Sequence, residues 1–300
     1  MKIIVTGGKG WIGSHIVDLL IKSEHEVIVI DNESTQGHKQ FYRNDKASYF
    51  PFDIRNKKEI APLFKNVDYV FHLAAQSRIM ATMNNPYAAA ETNIMGSINV
   101  LECSLEAGVK KVMYSSTSAA YDGIQDKPPY REDMYEYCQN PYAVSKLAGE
   151  KFFTLYEDLY GLKSVIFRYF NVYGQRAPLL GSSVPVIHRF IEQRKKNEPI
   201  TIVGDGSMTR DFIHVYDIAE ANLLAMESNV SHEIINIGFG KDYSLKQVAK
   251  MISDDIIYIE PVRKFEAGRI FADISKAKKL LEWVPKIDVK DYIKLELSRI

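Results

Sequence analysis

The segment Ile3-Ile4-Val5-Thr6-Gly7-Gly8-Lys9-Gly10-Trp11-Ile12-Gly13 sets glycines at 7, 10 and 13 between an apolar, strand-like run and a helical one. No other feature constrains the fold as much. A strand that enters a helix through G-x-x-G-x-x-G needs a tight turn at the first glycine. It needs close approach of a ligand to the backbone at the second, and close helix–strand packing at the third. The helix start then offers free N–H groups and a positive dipole end, which suit a phosphate.

The next apolar run, 26–30, ends on Asp31, roughly 20 residues past the turn. A carboxylate there accepts from ribose hydroxyls and repels a 2′-phosphate, and Asn32 and Glu33 follow it rather than Arg or Lys. The pattern predicts NAD rather than NADP. The plainer alternative is a glycine turn with a helix-capping aspartate. Asp53, after the apolar stretch 49–52, reads equally as an acceptor for an adenine amino group or as a turn residue or cap before a helix at 56–64.

Short apolar runs at 2–6, 26–30, 67–73, 111–115 and 163–167 alternate with helix-period segments at 11–21, 87–107 and 142–160. The strand runs have few polar interruptions, as expected of strands covered on both faces. Ile94, Ile98, Leu101 and Leu105 recur at helical spacing. This alternation predicts an α/β fold, a Rossmann-like doubly wound parallel sheet. After Asn171 the rhythm breaks. Gly and Pro cluster over 174–185, a helix is expected at 184–195, a strand at 200–203, and short elements of both kinds from 242 onward. The reading is an NAD-binding domain at 1–172, to which 212–239 returns, and a smaller mixed α/β substrate-binding lobe from 173–211 and 240–300.

Charge narrows the partners. Thirty-eight basic and 38 acidic residues cancel, so no global field attracts nucleic acid or an anionic membrane. An anionic ligand must be held by a few placed cations. Cys103 and Cys138 lack metal or redox spacing, and no metal site is expected. No signal peptide precedes the first strand and no apolar run reaches the ~18 residues of a membrane span, so a soluble, cytoplasmic protein is expected.

The run at 111–115 continues into Ser115-Ser116-Thr117-Ser118, and Tyr142 and Lys146 open a long helix after Pro141. Four residues apart, they share a helix face. A phenol with pKa near 10 is a poor base at neutral pH. A neighbouring ammonium and a positive nicotinamide ring would stabilise the phenolate, and a strand-end hydroxyl would orient a substrate alcohol. By itself Y-x-x-x-K is commonly a surface pair. The dinucleotide turn and the hydroxyl cluster give it the catalytic reading.

With these motifs in order, the chain resembles the NAD-dependent epimerase/dehydratase family of extended short-chain dehydrogenases/reductases. The matching segments span nearly the full length: 6–13, 53–54, 72–76, Asn93, 115–121, 142–146, 168–174, 210–217, 236–238 and 272–277. The resemblance implies catalysis by Thr117, Tyr142 as general base and Lys146 as its partner. It implies a cofactor site of Gly7, Gly10, Trp11, Ile12, Gly13, Asp31, Asn32, Asp53, Ile54, Leu73, Ala74, Ala75, Asn93, Ser115, Tyr142, Lys146 and Tyr169. It implies a nucleotide-diphosphate sugar held by Thr117, Asn171, Arg210 and Arg263. Two arginines suit a diphosphate, because each planar fork binds phosphate oxygens bidentately.

Within the family the resemblance is nearest to UDP-glucose and UDP-N-acetylglucosamine 4-epimerases. Dehydratases usually carry Asp-Glu after the catalytic Thr, where this chain has Ser118 and Ala119, and the Glu usual in decarboxylases is also absent. A dehydrogenase or reductase needs only the triad and stays open, as does a non-catalytic dinucleotide binder. The usual Tyr-Gly is here Tyr121-Asp122-Gly123. The resemblance also implies a homodimer that pairs 87–107 and 142–160, and Phe152, Phe153, Leu155 and Tyr156 cannot all face one core, which leaves apolar surface for a partner.

Overall fold

Ile3, Ile4 and Val5 are fully buried, which only a strand covered on both faces allows. The computed structural model describes residues 1–35, 37–38, 40–122, 127–181, 184–260 and 268–300. Its strands in chain order are β1 (Lys2–Thr6), β2 (Glu26–Ile30), β3 (Ser48–Phe50), β4 (Tyr69–His72), β5 (Lys111–Thr117), β6 (Ser164–Tyr169), β7 (Asn171–Tyr173), β8 (Ile200–Val203), β9 (Thr209–His214), β10 (Glu233–Ile237), β11 (Asp242–Ser244), β12 (Ile256–Ile259) and β13 (Arg269–Ile270). The helices are α1 (Trp11–Lys22), α2 (Lys57–Ile60), α3 (Ile79–Asn84), α4 (Pro86–Ala90), α5 (Gly96–Glu106), α6 (Pro141–Tyr160), α7 (Val186–Lys195), α8 (Val215–Glu227), α9 (Leu245–Ile252), α10 (Ser275–Leu281) and α11 (Val289–Leu297). Among the described residues, no helix is long and apolar enough to cross a membrane.

Seven strands form one sheet in the order β10-β6-β5-β4-β1-β2-β3. Every pairing in it is parallel. This is the expected Rossmann-like α/β architecture. Val5, Phe71 and Phe167 alternate with Ile4, Val70 and Ile166, so each strand feeds two apolar layers, one with Ile16 of α1 and Ile218 of α8, the other with Leu101 of α5 and Phe153 of α6. The chain runs outward from β1 toward β3 and restarts on the other side at β4. The carboxyl ends of β1 and β4 therefore flank the switch point where such sheets bind ligands. A second sheet joins β11-β9-β13, with β7 also on β9, and β8 pairs with β12. Tyr173, Phe190, Ile202, Phe212, Val248 and Tyr292 form the core there.

One sequence expectation is corrected. The helix at 87–107 is α4 and α5 joined by a π-helical turn, Glu91–Met95. The turn carries Asn93, whose Nδ2 donates to Ser145 Oγ at 2.8 Å and whose Oδ1 accepts from Gln76 N at 2.7 Å. Such insertions in a helix re-aim a side chain. On α6, Phe153 and Tyr156 are buried in the core and Leu155 is exposed.

α6 is held by a buried ion pair. Arg168 of β6 and Glu150 of α6 are both 0% exposed, with Arg168 Nη2 2.6 Å from Glu150 Oε2. Burying two charges costs several kcal/mol unless their remaining hydrogen-bonding capacity is met, and here it is. Arg168 Nε donates to Glu150 at 3.0 Å, Nη1 to Tyr121 OH at 2.8 Å and Nη2 to Glu136 at 2.8 Å, and Ser116 Oγ donates to Glu150. Tyr121 OH passes the chain on to Asn236 Oδ1 at 2.9 Å. We expect Arg168→Met to lower the free energy of unfolding by about 3–5 kcal/mol in urea melts, because it strands Glu150, and Glu150→Met/Arg168→Met together to cost less than Arg168→Met alone. Equal losses in the single and double variants would rule out that coupling.

His15 of α1, His188 of α7 and His214 before α8 meet where the smaller sheet packs on the glycine turn. Trp11 and His188 ring centroids are 5.6 Å apart, His15 and Tyr216 4.8 Å, and His214 and Tyr292 5.6 Å. Burial pushes each imidazole down to about 4. These folded-state values lie below the unfolded 6.5, so the unfolded chain binds more protons between the two. Stability is then present above pH 6.5 and is lost as pH falls toward about 4. Thermal melts across that window should show Tm dropping with pH, less steeply in His188→Gln; a Tm that does not respond to pH there would contradict the neutral, buried imidazoles.

Candidate active site

The turn after β1 approaches the carboxyl end of β4 very closely. Gly7 has φ +70°, and a Cβ there would lie 2.7 Å from Ala74 N; at Gly13 a Cβ would collide with Gly7 O. Gly10 is the N-cap of α1 and offers no side chain to the first-turn amides, which leaves them as donors for a ligand. Thr6 Oγ1 lies 2.7 Å from His72 Nδ1 and accepts from Ala74 N at 3.2 Å. His72 Nε2 is 2.9 Å from Ser97 Oγ, whose hydroxyl donates to Asn93 O at 2.6 Å. With that hydroxyl committed, Nε2 carries the ring proton and Nδ1 accepts from Thr6. Buried polar links thus fix the backbone at Ala74.

A cavity of about 590 Å³ opens at this switch point, and it brings together Gly7, Gly10, Trp11, Ile12, Gly13, Asp31, Asn32, Asp53, Ile54, Leu73, Ala74, Ala75, Ser115, Tyr142, Lys146 and Tyr169. Asn93 is 0% exposed and does not line it. It stands behind the wall, clamping Gln76 and Ser145, so the structure makes it a support for the cavity rather than a contact. Asp31 accepts from Lys9 N and Glu33 N at 2.8 Å each. A carboxylate oxygen has more than one acceptor site, so these bonds leave capacity for ribose hydroxyls. Asp53 accepts from Arg55 N at 2.9 Å, pairs with Arg55 Nη2 at 2.7 Å and receives Asn32 Nδ2 at 2.8 Å. It acts as a turn residue while still facing the cavity, and the cap of α2 is Asn56.

A second cavity, about 910 Å³, shares Tyr142, Tyr169 and Asn171 with the first and adds Thr117, Arg210, Asp122, Tyr137, Cys138 and Ile270. Asn171 Nδ2 donates to Asp211 O at 3.1 Å, and Arg210 Nη1 to Thr209 O at 2.8 Å. Arg263 lies outside the described residues.

The two cavities meet at Tyr142. Burial raises its phenol above the usual value, the Thr117 hydroxyl opposes the rise, and the Asp122 charge adds to it. Lys146 is buried with Nζ 4.1 Å from the Tyr114 ring centroid. Burial pushes its ammonium down to about 7 and the Glu150 carboxylate pulls it back up. Tyr169 OH accepts from Asn222 Nδ2 at 2.7 Å and lies 3.1 Å from Ser115 Oγ. Thr117, Tyr142 and Lys146 can therefore hold and move a proton at one oxygen facing both cavities.

Sequence reasoning missed Glu150, although its place four residues past Lys146 marks it as sharing that face. It also missed Ser34, Thr35, His38, Arg78 and Pro178 along the first cavity. These come from three separate segments and no local spacing flags them.

Comparison with known proteins agrees with this geometry. The model of the NAD dependent epimerase/dehydratase family matches residues 3–238. A Methanocaldococcus jannaschii protein with the provisional name UDP-glucose 4-epimerase is 41% identical over 97% of this chain and 96% of its own. A UDP-glucuronate 4-epimerase of Thermodesulfobacterium geofontis is 33% identical over 97% and 93%. The crystal structure of a Thermotoga maritima UDP-glucose 4-epimerase with UDP-glucose has a TM-score of 0.93 at 35% identity, covering 99% of this chain and 98% of the other. A glycine turn, an aspartate at the end of β2 and the Thr117–Tyr142–Lys146 group, in a chain matched over nearly its whole length, place it in the NAD-dependent epimerase/dehydratase family.

Proposed function

We propose that this chain interconverts the C4 epimers of a UDP-hexose, UDP-glucose and UDP-galactose or their N-acetylated counterparts. The observation that carries the reading is the place of Tyr142 at the junction of the two cavities, with Thr117 lining the second beside it and Lys146 one helical turn along in the first. Ser118 and Ala119 beside it offer no acid for dehydration.

The glycine turn fits a dinucleotide, because its backbone approach would be closed by a Cβ at Gly7 or Gly13 and its uncapped amides face the cavity. Bound there, NAD would supply a reversible hydride acceptor for the sugar. Tyr142 as phenolate accepts the proton of the C4 hydroxyl while C4 gives up its hydride, leaving a 4-keto sugar. Thr117 donates to the C4 oxygen throughout. Lys146 as ammonium steadies the phenolate and donates to the cofactor ribose. Once the sugar has turned over, Tyr142 would give the proton back as the 4-keto group is reduced from its other face, so that no net redox occurs. Asn171 and Arg210 hold the nucleotide diphosphate, leaving the hexose end free in a roomy cavity. Asp122 stands at that end and its charge acts on Tyr142 and Cys138. The carboxylate of a hexuronate would meet a like charge there, which favours neutral sugars.

In NMR assays with catalytic NAD, UDP-glucose or UDP-N-acetylglucosamine should convert to the C4 epimer without accumulation of NADH, and UDP-glucuronate more slowly. Tyr142→Phe should lose about 100-fold or more in kcat with NAD binding kept. Stoichiometric NADH release would instead mark a dehydrogenase, and a Tyr142→Phe protein as active as wild type would eliminate this mechanism.

The same reading includes a homodimer through α5 and α6. Val144, Leu155 and Leu159 of α6 are exposed, with Tyr87 of α4 and Met95 of the π turn. Light scattering at micromolar protein should give twice the chain mass, and Leu155→Glu/Leu159→Glu the single mass. A monomeric wild type would refute the pairing.

A further inference from the structure

We propose that Arg78 is the cation that clasps the diphosphate of the bound dinucleotide. It rests on the NAD dependence of the family and assigns a side chain to a task that the glycine turn otherwise performs with backbone amides alone.

Arg78 precedes α3 and lines the first cavity. Its guanidinium Nη2 is buried and has no hydrogen-bond partner. Burial is the one influence on its ionisation, and it disfavours the charged form, yet an arginine remains protonated in proteins. A buried guanidinium nitrogen without an acceptor costs free energy that a bound anion relieves. Among the described residues lining this cavity the arginine and lysine side chains are Arg78 and Lys146. Lys146 sits at the Tyr142 end. The two carboxylates, Asp31 and Asp53, are hydrogen-bonded to Lys9 and Glu33 and to Arg55 and Asn32. The imidazole of His38 is pushed down by burial.

The surroundings keep the guanidinium in place. Gly37, with φ +98°, lies against Nη2 so closely that a Cβ there would collide with it. The backbone of the same glycine is tied across the cavity, since Leu179 N and Leu180 N donate to Gly37 O at 2.9 and 3.1 Å. The segment after Asp31, the loop before α3 and the stretch 178–180 therefore converge on one arginine fork. A planar fork suits two phosphate oxygens. The sugar nucleotide also carries a diphosphate, but Arg78 does not line the second cavity, where Arg210 lies. The geometry assigns Arg78 to the dinucleotide.

The test compares wild type with Arg78→Gln, Arg78→Lys and Arg78→Ala. Calorimetry on protein freed of nucleotide would use NAD, ADP-ribose, adenosine and UDP as probes. Arg78→Ala and Arg78→Gln should weaken NAD and ADP-ribose about ten- to a hundredfold, with adenosine and UDP unchanged and Arg78→Lys intermediate. Wild-type affinity for NAD should fall more steeply with salt than that of Arg78→Ala. Unchanged NAD affinity overturns the proposal. Loss of UDP rather than NAD overturns it in favour of the sugar nucleotide, and equal loss for adenosine and NAD overturns it in favour of a structural role. Should the variants not fold, the wild-type protein still decides. NAD and ADP-ribose affinities that respond to salt while adenosine does not support the assignment, and salt-independent NAD binding overturns it. A wild type that binds UDP but no NAD overturns both this proposal and the cofactor reading beneath it.

Discussion

The buried pair between Glu150 and Arg168 governs where the long helix α6 lies. Tyr142 has to reach the last residue of β5, and a helix that slid by part of a turn along the sheet would carry the phenol past Thr117. Successive strand residues face opposite ways. Ser116 turns to Glu150 while its neighbour Thr117 meets Tyr142, so one strand end registers the helix twice. Arg168 extends the tie to β6, to Tyr121 after β5 and to Glu136 in the segment leading to α6. The pair is thus a positional lock joining every element that carries the reacting group. Glu150 also holds up the ammonium of Lys146, so its charge serves position and ionisation together.

The parts legible in the sequence are those where a local constraint leaves one residue type. A left-handed φ and a backbone approach explain Gly7, the end of an apolar strand explains Asp31, and a single helical turn explains Tyr142 with Lys146. A parallel sheet followed from apolar runs too uniform to face water. What stayed hidden depends on which distant segments meet. Asn93 sits on a helical-period segment, and nothing local announces the π turn that swings its amide behind the cavity wall. Arg78 reads as an ordinary loop arginine until Gly37 and Leu180 come round to it. The aromatic run on α6 told of two faces without telling which residue belongs to which, because Phe153 and Tyr156 are taken up by the core under β4 and β5.

A chain with no net charge can still hold two diphosphates if its cations are local and its carboxylates are engaged. Each acid in the first cavity is bound by nearby donors, Asp31 by backbone N–H groups and Asp53 by Arg55. Their charge is satisfied within a few residues and projects less toward the phosphate position. The second cavity differs, with Arg210 and Asp122 among its lining. On the proposed reading this asymmetry has a use. The nucleotide end is fixed by charge, and the sugar end meets neutral side chains and one carboxylate that offers an anionic sugar no hold.

Burial acts on Tyr142 and Lys146 in opposite directions of pKa and to the same effect, favouring the neutral form of each. A phenolate alone in this site would lack a counter-charge, and so would an ammonium. On the proposed mechanism the ionised forms would stabilise one another across a single helical turn, and the site would gain its base when the lysine is charged. Glu150 raises the lysine toward that state from behind, away from the reacting oxygen, and Thr117 favours the phenolate from in front. On that mechanism, removing Glu150 would act on the phenol through the lysine without touching substrate, so that Glu150 would position the reacting group as well as forming half of the lock that sets the helix.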